Sequence, residues 1–274
     1  MKGHWPEYVT EAAGLGVFMI SASVFGVLLF HPASPAATAV TTGITRNALM
    51  GLAMALTAVG LIYNRWGQQS GAHFNPAVTL TFYMLGKVAP RDVLAYSVAQ
   101  FVGGAFGMFL ATQALRPWIG HPAVSFVETR PGPWGEGAAW LAEFALTFVL
   151  MTVVLTVSNT RRFARYTGVC AAACVFLFIT FEAPLSGMSL NPARSLASAL
   201  AAGDGTSLWV YFTAPPLGML AAASVFVRLR GRQAVACAKL HHWNSRRCIF
   251  CEFQAMERAA VATKICQPAL ITGK

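Results

Sequence analysis

Charge is what this chain has least of. Of its 274 residues 11% are charged and only ten are acidic, where a soluble domain carries about 25% charged residues. Catalytic signatures are missing as well. No nucleophile stands at a useful spacing from a base, and neither a phosphate-cradling loop nor a cofactor fingerprint is present, so an enzyme is not expected. Nothing reads as a coupling-ion or nucleotide site, which argues against an energised transporter. No cleavage-site pattern follows the first apolar run, so that run is expected to remain as a span rather than act as a signal peptide. What fills the sequence is apolar: 56% hydrophobic residues, in runs that approach or exceed the ~20 residues needed to cross a bilayer. The expected class is an all-α, multi-pass protein of a cell membrane. The basic residues lie mainly between and after these runs, so the net charge of +10 is read as a topology signal and not as a nucleic-acid surface.

One short string occurs twice. Ser70-Gly71-Ala72-His73-Phe74-Asn75-Pro76-Ala77 and Ser186-Gly187-Met188-Ser189-Leu190-Asn191-Pro192-Ala193 share the pattern S-G-x-x-x-N-P-A. Each carries a helix-start signal. The Asn (75 or 191) can cap orphan backbone N–H groups, and Pro76 or Pro192 at the first helical position gives up a donor the helix would not have used. An apolar stretch of only about nine residues follows each copy, half a bilayer in length.

Six full spans are expected, roughly at 8–30, 47–65, 92–115, 138–158, 167–181 and 208–227. Glu11 and Glu143 lie early in the first span of each half, and are read as structural braces. Gly103 and Gly107 form a G-x-x-x-G helix-contact pattern in the third span. With the N-terminus inside, all of the twenty basic residues except Arg46, Arg116, Arg130 and Arg194 fall on the inner side, which satisfies the positive-inside rule and places both termini in the cytoplasm. Three spans per half make the second half an inverted copy of the first, with repeats at about 5–116 and 137–230. The two half-helices then enter from opposite faces and meet near the midplane. Irregular backbone at that depth is tolerated where protein buries it or water lines it. Gly71, Ala72, His73 and Phe74, with Gly187, Met188, Ser189 and Leu190, are therefore expected to line a pore. The helix N-termini and the amides of Asn75 and Asn191 would face its centre and oppose cations and hopping protons.

These features resemble the aquaporin or major intrinsic protein family in its bacterial type. The resemblance covers about residues 5–230 and rests on the two Asn-Pro-Ala boxes in matching contexts, Arg194 after the second, Glu11, Glu143, Gln100 and Gly103. It implies six tilted helices plus two re-entrant half-helices and a pore in each subunit of a homotetramer, in a bacterial inner or plasma membrane. It also implies a passive channel for water and small neutral solutes. By the family pattern, Arg194 sits at the selectivity constriction with Met54, Ile179 and Met188. Water-selective members resemble a ring of Phe, His, a small residue and Arg. Glycerol facilitators resemble an aromatic-rich ring and carry Asp after the second box, where this chain has Ser195. The ring here is apolar but for Arg194, so a glycerol or small-solute facilitator is the alternative. His73 could brace the loop or face the inner mouth, where imidazole titration would permit pH gating.

The channel unit is expected to end near residue 232, followed by a basic tail at 233–274. Cys237, His241, Cys248 and Cys251 in that tail supply the ligand types of a Cys3His zinc site, with Cys237 and His241 one turn apart if Lys239 lies on a helix. No other cofactor is expected. The alternatives for the tail are a basic segment lying on the membrane, or a partner- or metal-binding extension of a closed structural or sensing protein.

Overall fold

The computed structural model describes residues 3–266; positions 1–2 of the expected channel unit and 267–274 of the expected tail lie outside the described residues. Helices follow in the order α1 (Trp5–Phe30), α2 (Pro35–Ala39), α3 (Gly43–Tyr63), α4 (Gly67–Ser70), α5 (Pro76–Met84), α6 (Pro90–Ala114), α7 (Gly135–Ser158), α8 (Thr167–Phe181), α9 (Ala183–Ser186), α10 (Pro192–Ala202), α11 (Leu208–Arg230) and α12 (Ile249–Cys266). No strand occurs among the described residues. Six of these are long and apolar enough to cross a membrane: α1, α3, α6, α7, α8 with its preceding turn, and α11. They coincide with the six expected spans. Several begin two to four residues earlier than expected; in α1 and α6, Pro6 and Pro90 sit in the first turn, where a missing N–H costs nothing.

The halves repeat in their packing. α1 lies chiefly against α6, and α7 against α11; α3 of the first half packs on α8 of the second. Each half-helix crosses over, α5 touching α11 and α10 touching α6. The outer faces carry exposed Leu28, Leu56, Val102, Leu141, Leu177 and Leu217, the surface a hydrocarbon solvent accepts.

Small residues decide how closely the long helices approach. A Cβ on Gly103 would collide with the backbone of Ala12, and one on Gly107 with the backbone of Gly16. The G-x-x-x-G pattern is thus used between α1 and α6, where backbone meets backbone. Packing of that kind is rigid, since neither wall is a side chain that can rotate away.

Residues 231–248 are largely irregular and pass beneath the bundle before α12. Val235, Ala238, Leu240, Ile249 and Phe250 are buried in the same hydrophobic cluster as Phe82, Tyr96, Met151 and Leu190 of the bundle. The part of the tail from Val235 to Phe250 is therefore packed into the bundle and does not lie apart from it along a membrane surface.

Gly107→Ala is expected to destabilise the detergent-solubilised protein by about 1–3 kcal/mol, the range for overpacking. Gly60→Ala, where nothing lies within 4 Å of the added carbon, should be neutral or slightly stabilising. Unfolding midpoints compared side by side check this, and equal shifts would refute the close α1–α6 approach.

Candidate functional site

The two repeated strings leave helical geometry in the same way. Gly71 (φ 100°) and Gly187 (φ 78°) end the short helices α4 and α9 in the left-handed region. Ala72 and Phe74 in one copy, and Met188 and Leu190 in the other, also have positive φ, between 47° and 58°. Non-glycine residues pay about 1–3 kcal/mol each for such conformations and keep them only when their surroundings enforce it. The enforcement comes from two buried carboxylates. Glu11 accepts hydrogen bonds from Ser70 Oγ (2.7 Å), His73 N (3.1 Å), Phe74 N (2.6 Å) and Gln100 Nε2 (2.8 Å). Glu143 accepts from Ser186 Oγ (2.9 Å), Leu190 N (2.8 Å) and Ser189 N. Each brace thus holds the N–H groups of the two residues just before the Asn. A buried tyrosine completes each copy: Tyr96 donates to Ser70 O and Tyr211 to Ser186 O, both at 2.7 Å. Neither tyrosine stood out in the sequence, although each lies at a similar distance after its box; that matched spacing was the available signal.

The strings feed α5 and α10. Asn75 Oδ1 accepts from Ala77 N at 2.9 Å, and Asn191 Oδ1 from Ala193 N at 3.0 Å and Arg194 N at 3.4 Å. The amide nitrogens cross between the repeats: Asn75 Nδ2 donates to Leu190 O at 2.7 Å, and Asn191 Nδ2 to Phe74 O at 2.8 Å. A carboxamide NH2 has two donors, so each Asn commits one to the opposite repeat and keeps a second.

Both asparagines line a cavity of about 240 Å³ that runs between the halves. Met54, Ile179, Met188 and Arg194 line the same cavity, as do Ala72, His73, Phe74, Gly187, Ser189 and Leu190. Its wall is otherwise mostly aliphatic. The guanidinium of Arg194 contributes a buried Nη1 with no hydrogen-bond partner among the described residues. Gly71 departs from expectation. It does not line the cavity, and its carbonyl accepts the N–H of Leu240 at 3.1 Å, because the tail occupies that position.

The tail reaches the cavity. Leu240 itself lines the cavity. His73 donates from Nε2 to Ala238 O at 2.8 Å, since a carbonyl only accepts, and its Nδ1 lies 3.0 Å from Thr79 Oγ1. Its ring is stacked between Phe82 and Phe250, with centroids 5.3 Å away on either side and interplanar angles of 17° and 5°. His73 is therefore a packed brace between the first string and the tail.

In that tail, Cys237 Sγ lies 3.5 Å from Cys248 Sγ and 3.7 Å from Cys251 Sγ, and Cys251 Sγ is 3.8 Å from His242 Nε2. The four potential ligand atoms all fall within 4.8 Å of one another. This corrects the expected set: His242, not His241, joins the three cysteines. His241 instead packs its ring against Tyr63 at 4.8 Å. No helix runs through Lys239, so the one-turn spacing of Cys237 and His241 has no bearing. The thiol of Cys248 is held well below its ordinary range, first by the hydrogen bond from Cys237, with His242 and the N–H of Cys251 assisting; Cys237, the donor, is pushed up.

Paired re-entrant half-helices, joined head to head inside a six-span bundle with a cavity between them, define the class: a multi-pass membrane protein built on an inverted repeat. The chain belongs to the major intrinsic protein family, whose model matches residues 2–226. It is 39% identical over 166 residues to Aquaporin NIP1-3 of Oryza sativa subsp. japonica, covering 60% of this chain and 56% of that one. It is 37% identical over 174 residues to Aquaporin NIP2-3 of Zea mays, covering 63% and 56%. The chain thus spans little more than half the length of the curated relatives it matches. The solved structure of the aquaglyceroporin from Plasmodium falciparum shares the fold, with a TM-score of 0.69 at 20% identity over 85% of this chain and 99% of that one.

Glu143→Gln turns one acceptor of backbone N–H groups into a donor and leaves a buried N–H of the second string unsatisfied, at about 1–3 kcal/mol. The unfolding midpoint in detergent should fall accordingly. Glu136→Gln, at a carboxylate in the first turn of α7 bonded to Ser207 and Trp209, should shift it far less. Equal losses from the two changes would refute the bracing role.

Proposed function

We propose that this protein is a passive transmembrane channel for water and small neutral solutes that excludes ions and protons. The observation that carries the reading is the pair of Asn-capped helix N-termini facing each other across one cavity, each amide keeping a single free N–H. Each N-terminus presents about half a positive charge. A water molecule passing there turns its oxygen to the two donors and its hydrogens away, which interrupts a proton-conducting chain, while a cation meets a positive barrier. Membership of a family whose named relatives are aquaporins supports the same reading.

The roles of the lining residues follow. Asn75 and Asn191 form the central barrier, and Met54, Ile179, Met188 and Arg194 form the selectivity constriction. Glu11, Glu143, Pro76 and Pro192 hold the two strings. A constriction with three apolar members and one cation offers few hydrogen bonds to replace water's own. This favours small neutral solutes that are less tied to hydration, and the flexible methionines can adapt to them. The basic residues support an orientation with both termini in the cytoplasm. The outward leucines and valines supply apolar surface for lipid and for a homotetramer of channels. The bacterial membrane expected from the sequence gains no support from the relatives named above, which are plant proteins.

Reconstituted in metal-free, reducing buffer, the protein should make liposomes shrink faster than empty ones after an osmotic step, measured by light scattering. Shrinkage no faster than the control would sink the channel reading. The double change Met54→Phe/Ile179→His should shift the ratio of water to glycerol permeability, and an unchanged ratio would refute the constriction assignment.

A further inference from the structure

The Cys/His cluster and the tail's contact with the cavity lie in one stretch, Cys237 to Cys251. Leu240 reaches the cavity wall two residues before His242. Phe250, fully buried against His73 and Tyr96, lies between Cys248 and α12's Cys251. Ala238, whose carbonyl accepts the hydrogen bond from His73 Nε2, follows Cys237 directly. Whatever fixes the four ligand side chains relative to one another also fixes the segment that lines this end of the cavity.

The cluster has the dimensions of a tetrahedral site. An ion at about 2.3 Å from each sulfur and about 2.0 Å from an imidazole nitrogen sets S···S edges near 3.8 Å and S···N edges near 3.5 Å. The observed 3.5, 3.7 and 3.8 Å fall within a few tenths of an ångström, and the widest separation, up to 4.8 Å, closes with a small side-chain rotation. All three S···S and S···N contacts are far longer than a disulfide bond of about 2.05 Å. Three thiolates and a neutral imidazole match thiophilic ions without directional d-electron demands, the zinc class. Surrounding groups complete the site. The backbone N–H of Lys239 points at Cys237 Sγ (3.5 Å). The Lys239 ammonium, 2% exposed, donates to Arg247 O at 2.7 Å and ties off the loop between Cys237 and Cys248. Its charge offsets the single negative charge left when three thiolates bind a dication. The channel-side contacts hold the other flank: Ala236 N to Asn159 Oδ1 at 2.7 Å, Leu240 N to Gly71 O, and Lys87 Nζ to Gln254 Oε1 at 3.0 Å.

We propose that Cys237, His242, Cys248 and Cys251 bind one zinc-class dication, and that this ion holds residues 235–250 across the tail-side mouth, so that metal occupancy opens and closes the pore. The closing role rests on the channel reading above; the site and the seating do not. Binding releases the thiol protons to water and forms three S–metal bonds and one N–metal bond, with no change of oxidation state. Removing the ion frees the loop that carries Leu240 and the start of α12 that carries Phe250, so that Leu240 leaves the mouth and Phe250 leaves its stack on His73.

Three measurements on the full-length, reduced protein test this. Cobalt(II) should bind one per chain with thiolate-to-metal charge-transfer absorption and be displaced by zinc. Cys248→Ser and His242→Ala should each weaken binding by about 100-fold or more, beyond the loss typical of outer-shell partners, while His241→Ala should leave it intact. Absence of a one-to-one complex overturns the site, and so does a loss on His241→Ala with none on His242→Ala. Hydrogen exchange across residues 235–250 should slow on zinc loading and quicken several-fold with a chelator; exchange indifferent to zinc overturns the seating. In proteoliposomes, the chelator should raise osmotic permeability several-fold in wild type, and Cys248→Ser should be fast with or without it. Fast flux that ignores zinc overturns the closing role. Flux no faster than empty liposomes in every state, together with zinc-dependent exchange, overturns the channel reading and leaves the metal-seated tail standing.

Discussion

A backbone that leaves its helix at membrane depth must find a partner for every N–H it frees, because no water is at hand and each orphan costs several kcal/mol. The rest of this molecule depends on how that demand is met. Glu11 and Glu143, each wholly buried, accept from the residues immediately before Asn75 and Asn191. Two carboxylates spent on backbone N–H groups make alternating left-handed residues tolerable. Those residues carry the chain from a short helix, α4 or α9, to the N-terminus of a half-helix within about four positions. In a chain so poor in acidic residues, these two are used for structure.

Once the strings are held, the asparagines follow. Each side chain caps its own half-helix with its oxygen and bonds the opposite repeat with its nitrogen. The two halves are thus joined at the centre by a reciprocal pair of hydrogen bonds, and the same two residues keep one donor each for the cavity. Close helix approach at Gly103 and Gly107 sets the distance between α1 and α6, and therefore the position of Glu11 on one and Gln100 on the other. Cap, brace and helix packing are one connected arrangement.

The tail adds a second constraint that no part of the inverted repeat requires. It supplies Leu240 to the cavity wall and Phe250 to the stack on His73, and its cysteines converge with His242 directly beneath. A C-terminal segment seated against the cavity needs something to hold it in place, and irregular backbone has little internal order to do so. Side-chain ligands gathered around one point are a compact solution to that problem.

Much of this was legible from local pattern alone. The apolar runs marked the six spans, because a bilayer demands length and hydrophobicity in sequence. The boxes marked two helix starts, because capping by Asn and Pro is decided within three residues. Their repetition at odd span number determined the inversion, and with it the early positions of Glu11 and Glu143. What only the tertiary structure decided is every choice between near-equivalent neighbours and every contact between distant segments. His241 and His242 are adjacent and chemically identical; the turn of an irregular chain sends one to Tyr63 and the other to the cysteines. Gly71 and Gly187 occupy equal places in the repeat, yet the carbonyl of Gly71 is taken by Leu240, 169 residues further on. Tyr96 and Tyr211 looked like ordinary span residues until the folded chain brought them to Ser70 and Ser186. Local sequence determines where a helix can begin and which runs can sit in lipid. Which hydrogen-bonding group meets which across the bundle depends on packing, and packing is a property of the whole chain.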